Sequence, residues 1–179
     1  MKAFRFTPAL LALLLLVAGS CDKVLSLIRF QVSDSSTVTL PAVTLVGVPL
    51  PTLSTPVTST STQTYQNNNT QAQNVQNVTL DQLRLTIIDP PGNTFDPLQS
   101  VSIDIATDAN GTNRVPLASL SNIPTGQTSI SLTPAANTKL DVYLQNGSYT
   151  LFITAQLRAP VTQTTRVRAD AVYNVSAKS

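Results

Sequence analysis

The chain has no histidine, no tryptophan and no glutamate, and it carries a single cysteine among its 179 residues. Each absence closes off a chemistry. Without histidine the commonest general base, the usual zinc ligand and the standard serine-hydrolase triad are all missing. A lone cysteine can form neither an internal disulfide nor a cysteine metal cluster, and it has no histidine to activate it as a nucleophile. The expectation is a non-enzyme with no cofactor, no metal ligands and no catalytic residues. Charge is scarce as well, at 11% of residues, and aromatics make up only 5%. Nucleic-acid binding depends on clustered Lys and Arg that displace counterions, and no such cluster exists. Carboxylate pairs alone could support glycoside hydrolysis. The aspartates, however, are scattered over turns and strand faces with no motif joining them, so a carboxylate-dependent hydrolase is the least favoured reading.

The N-terminus has three parts. Lys2 and Arg5 give a positive start, residues 9–18 (ALLALLLLVA) an apolar core, and Ala18, Gly19 and Ser20 a run of small residues. A membrane span needs roughly 20 apolar residues, and Asp22 and Lys23 interrupt the chain too soon. Residues 1–20 are therefore read as a cleaved signal peptide. Cys21 follows directly, and Ala18-Gly19-Ser20-Cys21 resembles the Leu-Ala-Gly-Cys site of bacterial lipoproteins, with Ala18 in place of the usual leucine. The resemblance implies diacylglyceryl and acyl chains on Cys21, palmitate among them, and attachment to a membrane of the bacterial cell envelope, exposed to the periplasm or the cell surface. Two or three chains on one residue anchor stably where one does not. Removal of the signal takes Lys2 and Arg5, so 11 basic residues become 9, against 9 aspartates, and the net charge of +2 falls to zero.

The rest of the chain is rich in Ser, Thr, Asn, Gln and Val and lacks long helix-forming windows, which favours strands and turns. Residues 21–36 read as a lipidated tether, and 37–179 as one β domain. Pro41 and Pro49 break the strand signal of residues 37–50. Residues 52–74 are polar and of low complexity, with Tyr65 as their one aromatic, and read as a loop or spacer. Further on, Leu83, Leu85 and Ile87 alternate with polar residues, as do Val101, Ile103 and Ile105; weaker strands are expected over 115–120 and 127–132. In Asp108-Ala109-Asn110-Gly111 the residues resemble part of a calcium loop, but Ala106 stands at the first ligand position and no glutamate exists to close it, so a turn is expected. Asn68, Asn77, Asn110, Asn146 and Asn174 begin N-x-Ser/Thr triplets, which this composition produces without functional meaning.

The C-terminus alternates most clearly. Tyr149, Leu151, Ile153, Ala155 and Leu157 share one face, as do Val167, Ala169, Ala171, Tyr173 and Val175. A five-residue loop over 159–163 would pair these two strands as a hairpin, with Tyr149 opposite Tyr173. Before them, Asn146-Gly147 fits a type I′ hairpin with residues 140–144 as a strand. Alternatively, Leu144-Gln145-Asn146-Gly147-Ser148-Tyr149 resembles the Leu-x-x-Gly-x-Tyr corner of immunoglobulin-like and fibronectin-like sandwiches. That resemblance implies a tyrosine hydroxyl bonded to the backbone just upstream, and residues 140–144 bridging the sheets as a short helical turn. Both readings give an all-β, antiparallel two-layer β-sandwich of roughly seven or eight strands.

The function expected is that of a membrane-anchored envelope lipoprotein whose non-catalytic sandwich is structural, adhesive or complex-scaffolding, with an envelope protein as its partner. The alternative is a glycan or small-ligand binding module, for which Tyr65 and Tyr143 are the tyrosines left free to contact a ligand.

Overall fold

A computed structural model describes residues 27–44 and 46–178. Cys21, the signal segment and the first residues of the expected tether lie outside them. Eight strands form the domain: β1 (Leu27–Leu40), β2 (Leu53–Thr58), β3 (Val75–Asp89), β4 (Leu98–Ala106), β5 (Val115–Ser121), β6 (Ser129–Pro134), β7 (Ser148–Leu157) and β8 (Thr165–Lys178). Two short helices join them, α1 (Ser61–Asn67) and α2 (Asp141–Gln145). All pairings are antiparallel, so the fold is all-β as expected.

The strand order is β1-β8-β3-β6-β5-β4-β7-β2. Four-stranded layers β1-β8-β3-β6 and β5-β4-β7-β2 face each other, and they are stitched at one side by the short β5–β6 pairing of Ala118 with Pro134 and Ser119 with Thr133. On the other side β1 and β2 approach without a ladder, so the sheet is an almost closed, flattened barrel. The first strand lies beside the last, the arrangement of an eight-stranded jelly roll. An immunoglobulin-like sandwich instead groups its strands as ABED and CFG.

This order corrects the expected hairpin. β7 pairs with β4 and β2, while β8 pairs with β1 and β3, so the two lie in opposite layers. Their inward faces are those read from the alternation: Leu151, Ile153, Ala155, Val167, Ala169 and Ala171 are all buried. Alternation records which face is covered and not which strand covers it, and a hairpin and an arch between layers bury the same residues. Tyr149 and Tyr173 do meet, across the core rather than along a ladder, edge to face with ring centroids 6.1 Å apart. Such a contact contributes about 0.5–1.5 kcal/mol beyond its buried area.

Two further boundaries move. The tether of residues 21–36 is strand from Leu27 onward, paired with β8 along its whole length. Alternate residues Ile28, Phe30, Val32, Asp34, Ser36, Val38 and Leu40 turn inward, and Pro41, which has no N–H, ends the strand. Residues 52–74 are not a spacer: β2 pairs with β7 from Leu53↔Ile153 to Thr58↔Ser148, and α1 buries Tyr65. Thr-rich sequence conceals this strand because one layer needs only Leu53, Thr55 and Val57 as its inner residues.

Residues 140–144 bridge the layers, with α2 as the short helical turn that the corner reading requires. Gly147, at φ +68°, turns the chain into β7. The helix also covers an edge. β6 pairs with β3 only over Leu83–Thr86, and α2 takes over nearer the strand's start: Asp141 Oδ1 accepts from the Val78 N–H at 3.0 Å, Gln145 Nε2 donates to the Val75 carbonyl at 3.0 Å, and Leu140 N–H donates to the Val78 carbonyl at 3.3 Å. An edge satisfied in this way cannot template another strand.

Candidate functional site

Two places in the domain concentrate polar side chains against the core. The first is the seam between β1 and β2. Asp34 occupies an inward position of β1 and is only 4% exposed. Its Oδ1 accepts from the Thr60 N–H at 2.7 Å and the Thr60 hydroxyl at 3.1 Å, and its Oδ2 accepts from the Tyr149 hydroxyl at 3.1 Å. The Tyr173 hydroxyl in turn donates to the Tyr149 oxygen at 3.0 Å. A buried carboxylate is costly unless hydrogen-bonded, and these donors supply what the protein interior withholds. The one Thr60 hydroxyl proton is shared between Asp34 Oδ1 and the Ser33 carbonyl, 3.0 Å away, and the Thr55 hydroxyl donates to the Thr37 carbonyl at 3.3 Å. Side-chain contacts thus hold β1 to β2 where no ladder forms.

Burial governs the tyrosines. It pushes the Tyr149 hydroxyl well above its ordinary range, with Tyr173 and Asp34 beside it adding to the effect. Tyr173 is raised as well, and Tyr65 is pushed up to about 12, burial being the first cause in both. None of these is poised for acid–base work near neutrality. Tyr149 also does not make the expected corner bond: its hydroxyl reaches Asp34 across the sandwich instead of the backbone just upstream. Tyr65 and Tyr143, expected to be free for a ligand, are each 2% exposed. Tyr65 donates to the Leu144 carbonyl at 3.1 Å, and Tyr143 donates to the Asn113 carbonyl. Both are spent on tying connections to the core.

The aspartates are likewise engaged in the fold. Asp104 pairs with Arg114 at 2.8 Å, Asp170 with Arg168 at 2.9 Å, and Asp81 accepts from Asn174 at 3.0 Å. Asp108 folds onto its own turn, accepting from the N–H groups of Asn110 and Thr112 at 2.9 and 3.0 Å and from the Thr112 hydroxyl at 2.7 Å. The Thr112 hydroxyl and N–H bonds hold its carboxyl below the ordinary range. This is a turn, with Asp108 wrapped around the backbone rather than presented to an ion. Among the described residues no three Asp or Cys side chains come together as a metal site would require.

The second place is a mouth of about 190 Å³ at the end of the sandwich where β1 finishes and β8 begins. Leu40, Ile87, Phe95, Leu98 and Val161 form its apolar wall; Asn93, Thr94, Asp96, Thr162, Gln163 and Thr165 supply polar atoms. They come from the β3–β4 and β7–β8 connections, which are cross-braced. Asn93 Nδ2 donates to the Thr165 hydroxyl at 3.1 Å, Gln163 Nε2 donates to Asn93 Oδ1 at 2.8 Å, and the Gly126 N–H donates to Asp96 Oδ1 at 2.5 Å. Arg158 donates through Nε and Nη2 to the Leu98 carbonyl at 2.8 and 2.6 Å, and through Nη2 to the Ile123 carbonyl. Asp96 is the one carboxylate in this lining, so the mouth does not bring together the acid and base that a glycoside hydrolase needs. Pro90, Pro91 and Gly92 are turn-forming residues at the start of the β3–β4 connection, but nothing local in the sequence foretells that Gln163 and Thr165 stand opposite.

No helix among the described residues is long and apolar enough to cross a membrane. No family model matches the chain, and no curated protein matches it. Among solved structures, a Desmodium yellow mottle tymovirus chain is similar at 12% identity, over 85% of this chain and 90% of that one, with a TM-score of 0.25, a likeness too slight to bear on fold or function.

Proposed function

We propose that the protein is a membrane-anchored lipoprotein of the bacterial cell envelope, held by acyl chains on Cys21, whose sandwich serves a structural, adhesive or scaffolding role and carries out no reaction. The observation that carries this reading is the position of Cys21, immediately behind the apolar run of residues 9–18 and the small residues Ala18, Gly19 and Ser20. With Cys21 anchored, the six-residue step to Leu27 spans at most about 20 Å. The Leu27 end of β1 then stays near the membrane. Fourteen residues of strand carry the chain to Leu40, roughly 40 Å further out at about 3.3 Å per residue. The mouth beside Leu40 and the loop before Thr165 face away from the anchor.

Labelling with a clickable fatty acid in a bacterial host tests the anchor. The wild-type protein takes up label and sediments with membranes, whereas Cys21→Ser is unlabelled and partitions to the soluble fraction. Equal label and equal membrane retention in the two would sink the reading.

A further inference from the structure

We propose that the mouth bounded by Leu40, Phe95 and Val161 binds one uncharged, hydroxyl-bearing unit the size of a hexose, either free or as the terminal residue of a glycan. The braces described above use one face of each polar side chain and leave the other open. Asp96 Oδ2, Gln163 Oε1 and the hydroxyls of Thr94 and Thr162 have no hydrogen-bond partner among the described residues, although all four residues line the cavity. Two of these atoms only accept, and the hydroxyls can do either. A ligand that satisfies them must therefore be rich in donors, as a polyol is.

The lining has no Lys or Arg, so carboxylates and phosphates find no counter-charge there. Arg158 is committed to the Leu98 and Ile123 carbonyls, so it offers an anion no free charge. A neutral, donor-rich guest is the occupant proposed, and hexylamine probes a cationic one drawn to Asp96. Half-buried Leu40 and Ile87 offer the apolar contact for the C–H face of such a unit, and about 190 Å³ corresponds to roughly six displaced waters at about 30 Å³ each. Because Asn93, Asp96 and Gln163 are already fixed by their braces, binding spends little on ordering the loops.

The experiment uses the purified full chain and follows backbone amide shifts by NMR during titration with a panel of neutral hexoses and N-acetylhexosamines, with hexylamine and hexanoate as charged probes. At least one sugar is expected to shift amides of residues 93–98 and 161–165 with a millimolar Kd, and hexanoate to shift none. Asp96→Asn keeps an oxygen for Gly126 but turns the free acceptor into a donor, so affinity falls about fivefold, the value of one hydrogen bond. Thr162→Trp, at an exposed rim position, blocks the mouth and abolishes the shifts. Should Asp96→Asn melt at a lower temperature, Gln163→Ala takes its place with the same expected loss. The proposal is overturned if no sugar shifts these amides, if both substitutions leave sugar affinity unchanged, or if hexylamine is the one probe that binds. Sugar binding is read on purified protein, so its failure leaves the membrane anchor untouched, and failure of the anchor leaves the mouth standing.

Discussion

Asp34 sits where the alternation of β1 demands an apolar residue, and the fold answers by aiming three donors at it, the Thr60 N–H, the Thr60 hydroxyl and the Tyr149 hydroxyl. The hydrogen-bond pattern ranks substitutions in the cluster. Tyr173→Phe removes a donor but leaves Tyr149 bonded to Asp34, so it costs about 1 kcal/mol. Tyr149→Phe strands both the Asp34 Oδ2 and the Tyr173 hydroxyl in the core and costs roughly 2–3 kcal/mol. Asp34→Ala leaves the Thr60 N–H and the Tyr149 hydroxyl without their acceptor, opens the seam and costs most, about 3–4 kcal/mol. Urea titration with an unchanged m-value checks the order; equal midpoints for all three would refute it. The same residues set a pH limit. Buried tyrosines have folded pKa values above their unfolded value of about 10. Their contribution is therefore whole below about pH 10 and is lost as pH rises towards and beyond about 12, where Tyr65 titrates. Stability measured between about pH 8 and about pH 12 should stay level and then fall, with tyrosinate absorbance appearing together with unfolding. Tyrosinate absorbance from all four tyrosines in a still-folded protein would contradict it.

At the scale of elements, the turn from α2 into β7 and the segment of residues 52–74 carry distinct expectations. Gly147 has φ +68°, and a Cβ there would stand 3.2 Å from the Thr62 hydroxyl oxygen of α1. Gly126 has φ +74° with open space around its Cβ position. Gly126→Ala therefore bears the left-handed conformational cost alone, about 1 kcal/mol, while Gly147→Ala also pushes the Thr62 hydroxyl aside by a few tenths of an ångström and costs about 1.5 kcal/mol. Thermal melts of the pair separate backbone strain from packing. Residues 53–67 form β2 and α1 against β7 and the core. Their amides should exchange with protection comparable to that of β7, and deletion of residues 52–74 should unfold the domain rather than shorten a linker. Free exchange across β2 would return the segment to a spacer.

For the whole molecule the decisive contact is between the two ends of the chain. β8 lies between β1 and β3, from Leu40↔Thr165 to Leu27↔Lys178 on one side and from Asp89↔Arg166 to Val75↔Ala177 on the other. A chain ending at residue 164 lacks the middle of one layer and should remain unfolded, as circular dichroism and a featureless NMR spectrum would report. Pairings this distant in sequence place refolding in the millisecond-to-second range, well below helical bundles of similar size. The strand direction also gives the domain two ends, with Leu27 and Lys178 at one and the mouth at the other.

Composition and alternation by themselves determined the all-β class, the inner faces of β7 and β8 and the turn at Asp108, because side-chain burial, β propensity and turn chemistry are local properties written residue by residue. The short turn at 140–144 was legible as one of two readings, since Asn146-Gly147 serves both a hairpin and a helix that ends at a glycine. Only the tertiary structure decided that β7 and β8 lie in opposite layers, that Tyr149 answers Asp34 from 115 residues away, and that Thr-rich residues 53–58 are a strand. Each of these depends on which distant segment supplies the covering surface or the missing donor, and a pattern with period two names the face to be covered without naming its partner. The mouth belongs to the same class: its walls come from the end of β1 and from loops that bring together Asn93 and Gln163, 70 residues apart, which meet because the jelly-roll order sets the two connections side by side.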